Sequence, residues 1–388
     1  MKKKHCNKVA LITMAPFPKG NVSTLRYTSY LQELAKKHID PYVLVYCPTN
    51  MAKINDNRSG LINGIHYQYA TKITWTMGGG ILEKILYLFV GLFRSIKYLY
   101  QYNPGTIILY GDNSAFVTVF YSLVAKLLGA KYIGDRSEFP TARVRKSKIR
   151  LIVYEYKQRL FDGMIIMTKQ LCEYYARFSK NSDFVFFLPM TIDVNRFSEV
   201  SINKKPYIAV VFGTHNRDGL ADSLMCFIDY VKSYDGIWDL LLIGNYTKMP
   251  NRSELDRIIE RSQVRDRIHI NGVARLDEMP QLLADASCLM TTPTEYVSGG
   301  FPTKLGEYML SGTPVVSTIA GELLDYIEPN KDMLMCLPGE MCKVPELLKY
   351  VETHPNESSA MAENAKQKAQ LFFNAATYVE DLAKFLEC

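Results

Sequence analysis

Residues 298–318 read SGGFPTKLGEYMLSGTPVVST. Lys304 and Glu307 stand three apart, the spacing that puts two side chains on one face of a helix. The helix they predict stops by Gly312, with Pro314 just beyond it, and Pro-Val-Val-Ser-Thr then has the β-branched character of a buried strand. The stretch is therefore a loop, a helix and a strand. Gly299 and Gly300 leave backbone N–H groups unshielded in front of a helix start, where the partial positive charge of the helix end favours an anion. The plain alternative for Lys304 and Glu307 is a surface ion pair worth about 0.2–0.5 kcal/mol.

The same unit recurs in both directions. Short apolar runs separated by helical patterns fall at 8–13, 42–47, 106–110, 131–134, 163–167 and 184–188. After Lys204-Lys205-Pro206 they fall at 207–212, 239–243, 268–271, 288–292, 314–317 and 334–337. Runs of this kind read as buried parallel strands, and the series predicts an α/β chain of two doubly wound, Rossmann-like domains facing across a cleft. The predicted divisions are 1–195, an acceptor-side domain; 196–370, a donor domain; and 371–388, a C-terminal helix for which packing back on the first domain is an open option. Ligands of such sheets bind at the C-terminal ends of strands, so the site is expected in the cleft.

Charge is distributed unevenly. Residues 1–200 carry 28 Lys and Arg against 13 Asp and Glu, a net +15, whereas residues 201–388 carry 18 against 26, a net −8. The basic half is expected to face something acidic. Eight scattered cysteines, with no Cys-x-x-Cys and no His at ligand spacing, argue against a disulfide framework and a zinc site and predict a reducing compartment. The opening Met-Lys-Lys-Lys-His runs into Val9 without an apolar signal core, so the expected location is cytoplasmic, with peripheral attachment to the inner face of the cell membrane as an option. The most apolar helical stretch, Ile85–Phe93, is far shorter than the roughly 20 residues needed to span a bilayer. Within 81–102, however, Leu82, Ile85, Leu86, Phe89, Leu92 and Phe93 belong to one broad apolar face edged by Lys84 and Arg94. Two readings stand: a core helix, or an interfacial helix on an anionic membrane surface, helped by Arg143, Arg145, Lys146, Lys148 and Arg150.

Three further stretches carry chemistry. In APFPKGNVSTLRY (15–27), Gly20 opens a loop and Ser23 or Thr24 is the expected cap of a helix whose Tyr27, Tyr30, Leu31 and Leu34 share a face; it is not the Gly-x-Gly-x-x-Gly dinucleotide fingerprint. VVFGTHNRDGL (210–220) sets Arg217 before a helix start, within reach of a phosphate or in solvent. Two anion-ready loops on one sheet edge suggest a diphosphate, with Lys304 supplying charge and Glu307 accepting ribose hydroxyls. GDRSEFP (134–140) brings Asp135, Arg136 and Glu138 together, as site residues or as a structural cluster. No Asp-x-Asp occurs, the short carboxylate pair that would hold a divalent metal on a diphosphate, so no metal or other cofactor is expected.

Together these residues resemble the retaining glycosyltransferases of family four, with GT-B architecture. Residues 298–318 resemble the donor segment of the subgroup reading Gly-Phe-Pro-x-Lys-Leu-x-Glu-Tyr, followed by Gly-x-Pro-Val-Val. FGTHNRDG is similar to its Gly-Ser/Thr loop, with Arg217 at the usual Lys; FPKGNVSTLR resembles its first-domain glycine loop; MTIDVNRF (190–197) resembles its hinge. The resemblance implies metal-independent transfer of a hexosyl group from a nucleoside diphosphate sugar, with retention, to a glycan or polyprenyl-linked acceptor, in cell-surface polysaccharide synthesis. No nucleic acid is implied. Arg217 and Lys304 are then catalytic, with Glu138 standing in for a first-domain His that has no counterpart here. Gly20, Gly213, Thr214, Gly299, Gly300, Phe301, Pro302, Thr303 and Glu307 are donor-binding. Gly299 occupies the place of the first of the two glutamates in the better-known family pattern. That departure keeps open a non-catalytic GT-B partner that binds a lipid-linked glycan; another nucleotide-sugar enzyme, such as an epimerase, is the second alternative.

Overall fold

A computed structural model describes residues 7–49, 54–77, 80–181, 183–213, 218–293 and 300–387, apart from the side chains of residues 142 and 143. Thr214, Arg217 and Gly299 lie outside the described residues. The chain divides into two compact units. One comprises 1–192, 298–300 and 374–388; the other comprises 193–297 and 301–373.

The first unit runs β1 (Lys8–Thr13), α1 (Val22–Lys36), β2 (Asp40–Val45), β3 (Ser59–Ile62), β4 (Ile65–Tyr69), α2 (Ile81–Tyr102), β5 (Thr106–Tyr110), α3 (Ala115–Leu128), β6 (Lys131–Arg136), α4 (Ala142–Arg145), α5 (Lys148–Gln158), β7 (Gly163–Ile166), α6 (Lys169–Ala176) and β8 (Val185–Phe187). Its sheet has the order β3-β4-β2-β1-β5-β6-β7-β8 and is parallel except for β3 against β4. Alternation along β1 builds two cores: Ala10 and Ile12 face α2, α3 and α5, while Val9 and Leu11 face α1. Strands β3 and β4 are absent from the sequence-derived set because β3 is wholly exposed and β4 buries Ile65, Tyr67 and Tyr69 only in alternation with His66 and Gln68, so neither is a continuous apolar run. Their local signal is the Asn63-Gly64 turn, with φ of 48° and 77°, the left-handed pair that a two-residue hairpin requires.

One expectation is corrected here, and one open alternative is narrowed. Asn21, not Ser23 or Thr24, caps α1: its side-chain oxygen accepts the Thr24 N–H at 3.3 Å, which frees the Thr24 hydroxyl to donate to the Pro16 carbonyl at 2.8 Å. Helix α2 is also no ordinary core helix. It buries only Gly91, Leu92, Ser95 and Leu99. Gly91 rides against β2's end so closely that a Cβ there would fall 1.7 Å from the Tyr46 carbonyl oxygen. Leu88, Tyr98 and Tyr102 pack partly buried against the core, whereas Leu82, Ile85, Leu86, Phe89, Phe93, Ile96 and Tyr100 are exposed.

The second unit runs β9 (Lys205–Val211), α7 (Leu220–Ser233), β10 (Asp239–Ile243), α8 (Arg252–Arg261), β11 (Ile268–Gly272), α9 (Met279–Asp285), β12 (Ala286–Thr291), α10 (Thr303–Leu310), β13 (Val315–Thr318), β14 (Leu334–Cys336), α11 (Val344–Thr353) and α12 (Pro355–Phe372). Its six strands are all parallel, in the order β11-β10-β9-β12-β13-β14. The order reverses between β9 and β12, which opens a crevice at their C-terminal ends. A last helix, α13 (Val379–Leu386), belongs to the first unit, where Val379, Leu382 and Leu386 join the core beneath α1 and the Thr106 hydroxyl donates to the Leu386 carbonyl at 2.6 Å. Among the described residues no helix is long and apolar enough to cross a membrane.

Candidate functional site

At the β9/β12 crevice two loops are stitched together. Gly219, in the loop after β9, has φ of 65°, and a Cβ there would lie 1.9 Å from the carbonyl oxygen of Thr292, in the loop after β12. The Thr292 hydroxyl donates to the Gly219 carbonyl at 2.8 Å and pairs with the Ser223 hydroxyl at 2.7 Å. Only glycine satisfies both the left-handed backbone and the close approach. The stitching brings α10, launched from the second loop, up to the residues of the first.

Three groups converge there. The Gly213 N–H donates to Asp218 Oδ2 at 2.6 Å, and the Lys304 ammonium pairs with the same oxygen. A Cβ on Gly213 would lie 3.3 Å from Asp218 Oδ2 and 3.9 Å from Lys304 Nζ, so these atoms ring the loop. Lys304 and Asp218 are about 22% and 10% exposed, shielded yet within reach of a ligand. Glu307, one turn further along α10, pairs with Arg196 through Oε1 at 2.5 Å, and Arg196 also donates to the Leu276 carbonyl. The alternative i,i+3 ion pair between Lys304 and Glu307 does not form, because each side chain takes a partner distant in sequence.

The helix start is anchored from below. Tyr308, fully buried and with its phenol pushed well above its ordinary range by burial, accepts the Val211 N–H at 2.7 Å, tying α10 to the end of β9. Phe301 packs its ring against Tyr326 and Phe373, with centroids 5.3 and 5.2 Å away. That leaves its backbone, rather than its side chain, for a ligand. Gly300 is buried, and Pro302 precedes the first turn at Thr303, its carbonyl accepting the Leu305 N–H. Asp218 and Arg196 lie inside quoted motifs and yet carried no role in the sequence reading. What marks them is their tertiary partners.

The first unit resolves the GDRSEFP cluster differently. Asp135 accepts Arg26 Nη1 at 2.8 Å and the Tyr30 hydroxyl at 2.9 Å, and the Arg26 and Asp135 side chains are 1% and 0% exposed. Arg136 donates to the Leu109 carbonyl at 3.1 Å and covers the Phe161 ring at 5.0 Å. Asp135 and Arg136 therefore form a structural cluster, with no opening to solvent. Glu138 is exposed, and its carbonyl accepts the Tyr175 hydroxyl at 3.2 Å. Gly20 has a packing reason of its own, since a Cβ would fall 1.9 Å from Thr24 Oγ1. The first sheet's own reversal, between β1 and β5, carries a pocket of about 280 Å³ lined by Met14, Tyr46, Lys84, Asp112, Asn113 and neighbouring residues. Asp112 pairs with the buried Lys157 at 2.5 Å; burial lowers that ammonium's pKa against the opposing pull of Asp112. Among the described residues no three His, Cys, Asp or Glu side chains cluster as a metal site.

Residues 206–348 match the family described as Glycosyl transferases group 1. A curated relative, the MMP alpha-(1->4)-mannosyltransferase of Mycolicibacterium hassiacum, is 24% identical over 151 residues, which cover 37% of this chain and 36% of that protein. Among solved structures, Anabaena HepE in complex with UDP and glucose superposes with a TM-score of 0.72 at 16% identity, over 98% of this chain and 99% of that one. The sucrose-phosphate synthase of Thermosynechococcus elongatus superposes with a TM-score of 0.73 at 15% identity, over 98% of each. The fold is thus α/β with two parallel-sheet, Rossmann-like units, as in GT-B structures, and the second unit carries the match to the group 1 glycosyl transferases.

Proposed function

We propose that the chain is a glycosyltransferase that moves a hexosyl group from a nucleoside diphosphate sugar to a glycan or lipid-linked acceptor, with retention and without a metal, in cell-surface polysaccharide synthesis. The observation that carries this reading is the convergence of the Gly213 amide, Asp218 and Lys304 at the strand-order reversal of the unit that matches the group 1 glycosyl transferases. A diphosphate over the two loops would meet Lys304, the amides around Gly300 and Phe301, and the start of α10. These are fixed cations and dipoles where negative charge builds on the leaving group. Asp218 holds the ammonium in place before the donor arrives. Glu307, oriented by Arg196, keeps a second carboxylate oxygen for ribose hydroxyls. Arg217, Thr214 and Gly299 complete the proposed donor loops, Gly20 is a further proposed donor-binding residue, and Glu138 is the proposed contact to the transferred sugar.

Retention needs no protein nucleophile in this scheme. The departing diphosphate remains on the face that the acceptor attacks and takes the acceptor's proton as the new glycosidic bond forms. The UDP complex of HepE makes uridine diphosphate sugars the first donors to test. A thermal-shift panel of uridine, guanosine and adenosine diphosphate sugars should single out one nucleotide, since a hundredfold excess over Kd stabilises by about 2.7 kcal/mol. Nucleotide release from that donor should then rise with added acceptor. No shift with any nucleoside diphosphate sugar overturns the reading. Donor binding without release above background returns it to the non-catalytic alternative.

A further inference from the structure

The helix layer over one face of the first sheet is unusual on its outer side. Helices α2, α3 and α5 all pack on the core that holds Ala10, Ile12 and Leu109, and α3 touches both of the others, so their outer surfaces lie side by side. Sixteen of the thirty-one exposed large apolar side chains among the described residues sit on these three helices. Leu82, Phe93, Leu127, Ile149 and Tyr156 are each about two-thirds exposed or more, and the Phe89 and Phe116 rings meet across the α2–α3 seam at 5.8 Å. A monomer rarely leaves so continuous an apolar patch open to water.

The surrounding charge identifies the occupant. Lys84 and Lys97 on α2, Lys126 on α3, Arg145 at the end of α4, Lys146 just after it, and Lys148 and Arg150 at the start of α5 are all exposed, and the four helices α2–α5 carry nine Lys or Arg against two Glu. A cationic, protein-sized partner would meet repulsion here, and a second copy of the same face would set its cations against their own kind. Apolar side chains that can enter an acyl layer, rimmed by cations whose stems lie along it, match an anionic bilayer. We infer that the first unit docks on an anionic lipid surface through the outer faces of α2, α3 and α5. The β1/β5 pocket is walled by Lys84, Tyr87 and Leu88 of α2, so docking sets that pocket at the lipid boundary, where a lipid-linked acceptor presents its polar end. This last point rests on the glycosyltransferase reading; the docking itself does not.

The test is co-sedimentation of the full chain with vesicles of phosphatidylglycerol and phosphatidylcholine in equal parts, compared with phosphatidylcholine alone. Binding should require the anionic lipid and fall as salt screens the surface. Each of Arg145→Ser, Lys146→Ser, Lys148→Ser and Arg150→Ser should weaken partitioning roughly fivefold. Phe93→Ser with Leu82→Ser should reduce what survives at high salt without moving Tm, because both side chains are exposed. Failure to sediment with anionic vesicles at low salt overturns the inference, and so does concentration-dependent dimerisation abolished by Phe93→Ser, which would make a second copy the occupant. Because no donor or acceptor is present, neither result depends on transferase activity.

Discussion

Two cation–carboxylate pairs, one in each unit, look alike on paper and differ in what surrounds them. Arg26–Asp135 in the first unit is sealed, with a tyrosine hydroxyl closing the carboxylate. Lys304–Asp218 in the second sits at the mouth of a crevice, part-exposed, with the Gly213 amide donating to the same carboxylate and a helix start beside it. A sealed pair has no ligand to serve, and removing one partner strands a charge in low dielectric. A half-open pair is held ready for a third charge. The same residue types thus mean stability in one unit and chemistry in the other, and burial makes the difference.

The largest effect should come from the sealed pair. Asp135→Ala leaves Arg26 uncompensated and is expected to lower stability by about 3–5 kcal/mol, read by denaturant unfolding. An unchanged midpoint would break the contrast. For the open pair the loss should appear in rate instead. Lys304→Ala and Glu307→Ala are each expected to reduce turnover by roughly 10²–10³, about 2.7–4 kcal/mol in barrier, with a smaller loss of stability than Asp135→Ala, since both side chains keep some access to solvent. Wild-type turnover with lowered Tm in Lys304→Ala would make the open pair structural as well, and the same result in Glu307→Ala would do so for its pair with Arg196.

A finer cut runs through one residue. Phe301→Leu trims a ring that packs on Tyr326 and Phe373, so stability should fall by about 1 kcal/mol while turnover holds. Lost turnover at wild-type Tm would move the side chain into the donor site. The smallest effect concerns metal. If fixed cations and amides neutralise the leaving group, dialysis against EDTA should change the rate less than about twofold, under roughly 0.5 kcal/mol. Activity abolished by EDTA and restored by Mn²⁺ would assign that charge to an ion.

Much of the fold is written locally. Apolar β-branched runs announce twelve parallel strands of the two sheets at or near their observed places, and α10 stops where Gly312 and Pro314 say it should, with Gly312 at φ of 66°. The hairpin β3–β4 was legible too, in Asn63-Gly64, but it lacks the buried run that marks the others. These features depend on backbone preference and on periodic burial, which neighbours in sequence decide.

Tertiary structure decided the pairings and the exposures. Lys304 and Glu307 are placed for each other by helix spacing, yet an i,i+3 pair is worth only a few tenths of a kcal/mol, and Asp218 and Arg196 outbid it from 86 and 111 residues away. Asp135 has the look of a site residue until Arg26, 109 residues earlier, closes over it. The apolar stripe of α2 reads as core by period alone. With Gly91 seated on Tyr46, Leu92, Ser95 and Leu99 are buried and Leu88, Tyr98 and Tyr102 pack partly buried on the core, while Leu82, Ile85, Leu86, Phe89 and Phe93 stay exposed. Sequence spacing determines which side chains share a face; which face is buried, and which charge meets which, follows from packing between segments that the chain brings together only when it folds.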